Sequence, residues 1–310
     1  MREEVSVPVD SARAPVVAML SAGQMGAAIG GVLKRDGGLD VVTLLDGRSS
    51  ATRARAEAAG LRDAGSMEAL VGQADIVLSV MSSHGALETA QAVAGALRRA
   101  SRPLLFVDCN AISPTLAQQM AGLIEDAGAA FVDAAIQSPP PREPGAMIYA
   151  SGSHAARLLV LNAHGLDIRL LDGPVGQASA LDMICGGMVK LLDAAGVQIM
   201  LAARQWGLEG MLNERCRGLV KSLERFTPLM PVRATRWAEE MRETGDLMRE
   251  MGLPAETFVG AAELLELIPR TEIGLEAEAM TQAEVIDAIS RELARRGIAP
   301  PAATSGASDE

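Results

Sequence analysis

The sequence predicts two domains, an α/β domain with a doubly wound parallel sheet and, after it, an all-α domain. The chain has 310 residues, 49% of them hydrophobic, and one hydrophobic core rarely grows that large. Short apolar runs alternate with helical patterns in the first half, which is typical of repeated β-α units. After Gly176 only helical patterns remain. We therefore predict one domain over 14–175 and a second over 176–297.

Each predicted strand is a short apolar run bounded by turn residues. The predicted strands are 15–20, 39–45, 76–81, 104–107, 131–136, 146–150 and 167–171. Helices are predicted where apolar residues recur at helical spacing. They are 24–36, 50–60, 85–99, 114–127 and 154–163 in the first domain, and 177–206, 207–226, 231–251, 254–268 and 281–296 in the second.

Composition excludes several classes of function. The net charge is −11 without any basic block, which argues against binding to nucleic-acid phosphates or to anionic membranes. Aromatic residues make up only 2% of the chain, too few for base-stacking platforms. Cys109, Cys185 and Cys216 are widely spaced and predict neither a disulfide framework nor a metal site. We expect a small-molecule substrate and a reducing, cytoplasmic environment.

No segment is predicted to direct the chain to a membrane. The acidic beginning of the sequence lacks the apolar run of a signal peptide. The stretch 177–203 is long and apolar, but Asp182, Lys190 and Asp193 within it would be costly in lipid. We therefore expect a buried helix of a soluble protein there, and loose tails over 1–13 and 298–310.

The first predicted strand leads into a glycine-containing turn at the start of a helix. Missing side chains let the backbone approach a diphosphate, and a helix N-terminus offers it unpaired N–H groups. Ser21 stands where the motif G-x-G-x-x-G has its first glycine, and serine can make this turn if its φ stays negative. A purely structural turn is the alternative. The predicted dinucleotide contacts are Ser21, Ala22, Gly23, Gln24, Met25 and Gly26.

The end of the second predicted strand bears on the choice between NAD and NADP. Asp46, twenty residues after Gly26, would accept hydrogen bonds from a ribose diol, which favours NAD. Arg48 and Ser49 would instead bind a 2′-phosphate, because a guanidinium can bond it bidentately. We predict NADP(H) as the cofactor, with NAD as the alternative.

Two further strands end in candidate contacts, since ligands gather at the carboxyl ends of such strands. We expect Met81 and Ser82 to contact the cofactor. Asn110 is a candidate for binding the nicotinamide amide or the substrate, with a turn-forming role as its alternative. His84 is expected to be solvated.

Five segments occur in order along the chain. They are the turn at 21–26, Leu45-Asp46-Gly47-Arg48-Ser49, Val107-Asp108-Cys109-Asn110-Ala111-Ile112-Ser113-Pro114, Phe131-Val132-Asp133-Ala134-Ala135-Ile136 and Gly176-Gln177-Ala178-Ser179-Ala180-Leu181-Asp182-Met183. Together they resemble the β-hydroxyacid dehydrogenase and 6-phosphogluconate dehydrogenase-like oxidoreductases, which include the imine reductases. From Arg236 to Glu263 the chain is similar to an uncharacterised helical branch of that superfamily. The resemblance implies a Rossmann-like NAD(P)-binding domain, a helical domain that forms a homodimer, and an active site between the two.

Three positions depart from the family pattern. Asp182 stands where many members have a lysine that acts as general acid or base on an alcohol. Gln137-Ser138-Pro139 stands where hydroxyacid members have Ser-Gly-Gly, whose backbone holds the substrate carboxylate, and proline has no N–H. Asp108-Cys109-Asn110-Ala111 stands where Asp-x-Ser-Thr is usual. These departures argue against a small 3-hydroxy acid as substrate.

Hydride transfer to a C=O or C=N carbon needs a group that protonates or stabilises the partner atom. Asp182 is the first candidate, because imine reductases are similar in having an aspartate there. A shielded carboxyl can hold a proton, and an ionised one can stabilise an iminium cation. Lys190, two helical turns later with Gly186 between, is the second candidate. Its alternative is a structural ion pair with Asp193.

The sequence thus predicts an imine reductase-like, NADP(H)-dependent oxidoreductase acting on C=N or C=O in a small, non-carboxylate substrate. Two alternatives stay open. One is an alcohol or hydroxyacid dehydrogenase that uses Lys190, and the other is a non-catalytic dinucleotide-binding module, because a fold does not determine a function.

Overall fold

The computed structural model describes residues 13–100, 102–273 and 280–297. Contacts divide the chain into two compact units, the first ending at Met183 and the second starting at Ile184. The division lies within one helix, eight residues after the end of the predicted first domain at 175, and the predicted domain limits stay a prediction. Of the predicted loose tails, only Arg13 belongs to the described residues.

An eight-stranded sheet forms the centre of the first unit. Its strands are β1 Val16–Leu20, β2 Asp40–Thr43, β3 Arg62–Asp63, β4 Ile76–Ser79, β5 Leu105–Asp108, β6 Ala130–Ile136, β7 Ala146–Ser151 and β8 Leu166–Leu170. They are arranged in the order β3-β2-β1-β4-β5-β6-β7-β8. Every neighbouring pair is parallel except β6 and β7. The strand order reverses between β1 and β4, which is where ligands bind in open α/β sheets.

Helices cover both faces of this sheet. They are α1 Gln24–Arg35, α2 Ser50–Ala58, α3 Met67–Gln73, α4 Ala86–Ala100, α5 Pro114–Glu125 and the 3-10 helix Ala155–His164. One buried cluster packs under α1, α2 and the 3-10 helix, and another packs under α3, α4 and α5. Because the central strands are buried on both faces, they read as continuous apolar runs in the sequence.

All seven predicted strands are present, but β3 and α3 were not predicted. The two residues of β3 are exposed and polar, so they form no apolar run. The predicted parallel sheet also contains one antiparallel pair, β6 with β7. The loop between them, 137–145, is too short for the crossover that a parallel pair requires.

The described part of the second unit is helical. The helices of this half are α6 Gln177–Gln205, which begins in the first unit, α7 Glu209–Arg215, α8 Arg217–Leu223, α9 Met230–Glu250, α10 Glu256–Leu265 and α11 Gln282–Arg295. Short 3-10 helices span Thr227–Leu229 and Ile268–Arg270. The single helix predicted at 207–226 is therefore two helices that meet at Cys216. Trp237 on α9 is 3% exposed and belongs to the core of this unit.

A buried carboxylate holds the beginning of α6. Asp133 on β6 is fully buried. It accepts hydrogen bonds from the N–H groups of Gly176, Ala178 and Ser179 at 2.8, 3.0 and 3.1 Å, and from the Ser179 hydroxyl at 2.6 Å. The Ser151 hydroxyl donates to it at 2.9 Å. These N–H groups have no partners within the helix, so Asp133 satisfies the end of α6 as a cap from a neighbouring strand.

The prediction that α6 is a buried helix is wrong for one face. Ile184, Met188, Leu192 and Ile199 are 51, 64, 61 and 57% exposed, and their spacing puts them on one side of the helix. By length and composition this helix could cross a membrane, which is weak evidence because helices of soluble proteins pass the same test.

Candidate active site

The turn between β1 and α1 presents backbone N–H groups at the carboxyl end of β1. Gly23 caps the helix with an extended backbone, φ −64° and ψ −172°, and no side-chain bond closes the cap. The first helical hydrogen bond is donated by the Ala27 N–H to the Gly23 carbonyl at 2.9 Å. The N–H groups of Gln24, Met25 and Gly26 therefore precede that ladder. The first turn of α1 contains no acidic residue, so the turn fits a diphosphate.

The first residue of this turn departs from expectation. Ser21 has φ +73° and is the one non-glycine residue with a positive φ among the described residues, so the turn forms without the negative φ that serine was expected to need. Serine thus adopts the conformation that the missing glycine would favour, at a cost of about 1–2 kcal/mol. A Cβ at position 26 would overlap the Ser21 carbonyl. Gly26 is therefore needed for the close approach of helix and turn, whereas position 21 tolerates a side chain.

The loop after β2 exposes both predicted ribose contacts. Asp46 and Arg48 are exposed, and Gly47 between them has φ +66°. The Ser49 hydroxyl accepts the Thr52 N–H at 3.2 Å as the cap of α2. Ser49 therefore has a structural role in addition to its predicted contact with a phosphate.

Two arginines near this loop were not predicted as site residues. Arg53 Nε donates to the Arg48 carbonyl at 3.3 Å, which puts a second guanidinium beside Arg48. Arg55 Nε donates to the Ala22 carbonyl at 3.4 Å and thus joins α2 to the glycine turn. The helical pattern of α2 places both arginines on the surface. The sequence around them therefore gives no indication that they contact Arg48 and Ala22.

Asn110 connects the ends of β4 and β5. Asn110 is buried, with 2% of its surface exposed. Oδ1 accepts the Met81 N–H at 2.6 Å, and Nδ2 donates to Asp108 at 2.5 Å and to the Ser79 hydroxyl at 2.9 Å. The predicted bond from Asn110 to nicotinamide or substrate would have to displace one of these bonds. In this structure Asn110 positions Met81, which is half-buried, beside the exposed Ser82 and His84.

Asp108 lies beside Asp133 in the sheet. The two residues are partners in the register of β5 and β6, and both are fully buried. Burial raises the pKa of Asp108 to about 7; bonds from Asn110 lower it in part and the charge of Asp133 raises it. Burial also raises the pKa of the neighbouring Cys109 thiol well above its usual value.

The structure puts Asp182 on α6, one turn after the residues held by Asp133. Asp182 is half-buried, and Gln137 Nε2 donates to its Oδ1 at 2.7 Å. The Gln137 N–H donates to the Met147 carbonyl at 2.9 Å, which fixes this partner at the end of β6. The next residue, Ser138, has a buried hydroxyl without a hydrogen-bond partner in the described residues. Sequence reasoning noted Gln137 only as a departure from the family pattern and missed its contact with Asp182.

Lys190 lies in the second unit, with an acidic partner that was not predicted. Its Nζ is 2.5 Å from Glu240 Oε2, and both side chains are 16% exposed. The expected ion pair with Asp193 is therefore wrong. Asp193 is buried, accepts the Thr227 hydroxyl at 2.7 Å, and has a pKa raised to about 6 by burial. A side chain at Gly186 would meet Lys190 Nζ, so the space over Gly186 is occupied by the lysine itself.

Two family models match the chain. Residues 16–157 match the NAD binding domain of 6-phosphogluconate dehydrogenase, and residues 206–268 match a domain of unknown function, DUF1932. Residues 16–157 are an NAD-binding domain of the 6-phosphogluconate dehydrogenase family. This NAD-binding domain contains β1 to β7 and therefore the glycine turn, Asp46, Arg48 and Asn110.

Three individual proteins show the extent of the similarity. The uncharacterized 28.5 kDa protein in the 7S RNA 5′ region of Methanothermus fervidus is 29% identical over 156 residues, 50% of this chain. The chain spans 59% of the length of this curated relative. Mycobacterium tuberculosis 3-hydroxyisobutyrate dehydrogenase with L-serine has 18% identity and a TM-score of 0.68, covering 89% of this chain and 99% of that one. The reductive aminase from Aspergillus terreus with NADPH and ethyl levulinate has 18% identity and a TM-score of 0.52, with coverage of 89 and 99%.

These comparisons confirm the predicted superfamily and the predicted fold, an α/β Rossmann-like domain followed by helices. The prediction of an NAD(P)-dependent oxidoreductase is confirmed at the level of the family. The preference for NADP, the substrate and the roles of the individual residues stay predictions.

We expect Ser21→Gly to stabilise the first unit by about 1 kcal/mol, because glycine adopts a positive φ without a Cβ clash. The midpoint temperature of thermal unfolding should rise by about 2–4 °C for a unit of this size. Ser153→Gly is the control, since Ser153 is exposed and has no positive φ to relieve. A loss of stability at Ser21→Gly equal to that of the control would contradict the strain at Ser21.

Asp108 should make the stability of the chain depend on pH. Its pKa is about 7 in the folded chain against an ordinary value of 3.8 for an aspartate, so the native state retains a proton that the unfolded state loses. The free energy of unfolding should therefore fall as pH rises from 4 to 7, by up to about 4 kcal/mol from this group. Urea unfolding of wild type and Asp108→Asn across this range measures the difference. Asp126→Asn, at an exposed position, is the control and should show the wild-type dependence of unfolding free energy on pH. If Asp108→Asn shows the same pH dependence as wild type, Asp108 is not its cause.

Proposed function

We propose that the chain is an NADP(H)-dependent reductase that transfers hydride to the C=N or C=O carbon of a small substrate without a carboxylate. Asp182 is the observation that carries the proposal. Gln137 orients its half-buried carboxyl through a hydrogen bond. In the resembled superfamily, many members that oxidise alcohols have a lysine at this position. A carboxyl can donate a proton or stabilise a cation, and both actions suit C=N reduction.

The residues of the first unit fit a nicotinamide dinucleotide, which supplies the hydride when bound. The N–H groups that open α1 would hold its diphosphate, because they precede the hydrogen-bond ladder of the helix. Arg48, with Arg53 beside it, would bind a 2′-phosphate at the end of β2. Asp46 on the same loop would accept hydrogen bonds from the hydroxyl groups of a ribose diol, which keeps NAD as the alternative cofactor.

The chain's own residues then handle the charge that develops on the substrate. The nitrogen or oxygen gains an electron pair as hydride reaches the carbon, and Asp182 either donates a proton to it or, ionised, stabilises the iminium that accepts hydride. Gln137 orients the carboxyl through Oδ1. The loop 137–145 favours a neutral group over a carboxylate, because Pro139 has no N–H to donate to an anion.

The dehydrogenase alternative has less support. A base that removes a proton from an alcohol must be free to accept it, and Lys190 is held in a half-buried ion pair with Glu240. A non-catalytic module would bind the dinucleotide and turn over nothing. NADPH fluorescence titration followed by a panel of cyclic imines, ketones and 3-hydroxy acids separates these functions. No fluorescence change at saturating NADPH would remove both enzymatic proposals.

The proposal includes a homodimer in the cytoplasm. The exposed side chains of Ile184, Met188, Leu192 and Ile199 form an apolar stripe along α6. Contiguous apolar surface of this kind is typical of protein interfaces. A second copy presents the same stripe, so pairing about a two-fold axis would cover both.

We expect Asp182→Ala to lower kcat for the best imine by about two orders of magnitude or more, the contribution typical of a general acid. The Kd for NADPH should be unchanged, since Asp182 is remote in sequence from the glycine turn. Asp172→Ala changes an exposed carboxylate of the same unit and serves as control. Asp182→Asn separates charge from hydrogen bonding, and a fully active Asp182→Ala enzyme would refute the role.

Arg48→Ala should weaken the binding of NADPH by about 2 kcal/mol, which raises its Kd roughly 30-fold, because charge-assisted hydrogen bonds are lost. NADH, which has no 2′-phosphate, should be affected little. Fluorescence titrations with both cofactors measure the two losses, and Arg98→Ala on the exposed surface of α4 controls for the change in net charge. Equal losses for NADPH and NADH would exclude the phosphate contact.

Met188→Glu and Leu192→Glu should shift a dimer to monomers, because each puts a charge into the apolar stripe. Light scattering coupled to size-exclusion chromatography gives the mass of each variant. Leu170→Glu, on the exposed edge strand β8, should leave the mass unchanged. A monomeric wild-type chain at micromolar concentration would contradict the proposed dimer.

A further inference from the structure

A second concave surface of the first unit adjoins the candidate active site and shares Gln24 and Pro139 with it. It is a groove of about 980 Å³ between α1, α2 and the loop 137–145. A volume of this size is ample for a small metabolite. Its floor consists of alanine and glycine residues of the two helices, and one wall is formed by the consecutive prolines 139–141.

The charge of the groove is opposite to that of the chain. The net charge of the chain is −11, yet Arg35, Arg55 and Arg142 line the groove together with no acidic residue. Arg35 has one nearby acid, Asp36, at 3.1 Å in an exposed pair, and such pairs are weak. Three guanidinium groups in a concave surface favour an anionic ligand, and phosphate esters above all, because guanidinium bonds them bidentately.

The arginines lie at two ends of the groove. Arg55 is at the end near the glycine turn, where it donates to the Ala22 carbonyl. Arg35 and Arg142 are together at the other end, since Arg35 Nη2 donates to the Arg142 carbonyl at 3.4 Å. Arg35 also reaches back to Gly31, which lies seven residues or about 10 Å along α1 from Gln24. Gln24 and Gly31, which mark the two ends of the groove, are thus about as far apart along α1 as the two phosphates of a sugar bisphosphate.

The middle of the groove suits an uncharged body. Ala27 and Ala28 of α1, together with Ala58 and Ala59 at the end of α2, line it. Methyl side chains let a ligand approach the helices closely, and they offer no charge to compete with the arginines. Of the residues that line the groove, Gln24 alone also belongs to the N-terminus of α1, which is assigned above to the dinucleotide.

We propose that the groove binds a small organic bisphosphate, with one phosphate at Arg55, the other at Arg35 and Arg142, and a neutral body over the alanines. The ligand occupies the outer face of α1 and α2 and not the carboxyl ends of β4 and β5. It therefore binds together with the dinucleotide, as an effector or as an anionic partner distinct from the reducible substrate.

Isothermal titration calorimetry with fructose 1,6-bisphosphate tests the proposal on the full chain, with and without NADPH. We expect saturable binding at one site per chain, no binding of fructose, and weaker binding of inorganic pyrophosphate, which is too short to reach both ends. Arg35→Gln, Arg55→Gln and Arg142→Gln should each raise Kd by roughly tenfold or more. Arg98→Gln, an exposed arginine on α4, should change Kd by less than about twofold.

Four outcomes would overturn the proposal. They are no saturable binding of fructose 1,6-bisphosphate, pyrophosphate binding as tight as that of the bisphosphate, an equal loss in Arg98→Gln, and competitive displacement by NADPH, which would put the probe on the glycine turn. Thermal unfolding without ligand shows that each variant is folded. Arg142→Gln keeps the test decisive if loss of the Arg55 contact with Ala22 disturbs the turn.

Discussion

The buried carboxylate of Asp133 is the interaction on which the candidate active site depends. It accepts the N–H groups of Gly176, Ala178 and Ser179, and so ties the first turn of α6 to the central sheet. Asp182 follows Ser179 by three residues, less than one helical turn. The location of the proposed proton donor is therefore set by a residue that touches neither cofactor nor substrate. A buried charge is costly unless hydrogen bonds satisfy it. The hydrogen bonds that satisfy Asp133 are the same ones that hold the start of α6 in position.

Asp133 is the last of three buried polar residues that cross the sheet side by side. The register pairs Ser79 of β4 with Asp108 of β5, and Asp108 with Asp133 of β6. Asn110 joins the first two and fixes Met81 in the following loop. Polar residues at the ends of otherwise apolar strands thus organise the loops that must meet a ligand. The two carboxyl groups differ in chemistry, because five donors surround Asp133 whereas burial raises the pKa of Asp108.

The sequence predicted the features that depend on local pattern. Continuous apolar runs marked the central strands, and the spacing of Gly23 and Gly26 marked the turn between β1 and α1. Features set by distant partners were not predictable in this way. The bond of Gln137 to Asp182 and the pair of Lys190 with Glu240 join residues 45 and 50 positions apart. The positive φ of Ser21 was missed because serine, unlike glycine, carries no compositional signal for that conformation.

The exposed face of α6 illustrates a second limit. Apolar residues at helical spacing indicate which side of a helix avoids water, but not whether its cover comes from the same chain. Ile184, Met188 and Leu192 were expected in a core and are exposed. A hydrophobic pattern therefore predicts burial only for the complete assembly, and a single chain can show the opposite.

The three prolines of the β6–β7 loop have a consequence for recognition. Each pyrrolidine ring restricts φ and removes an N–H donor, so this segment has little freedom to lose and no backbone donor of its own that needs water. A wall of this kind is preorganised: a ligand that packs against Pro139, Pro140 and Pro141 meets a rigid surface and incurs little entropic penalty for ordering it. A loop with three consecutive prolines thus exchanges adaptability for stiffness.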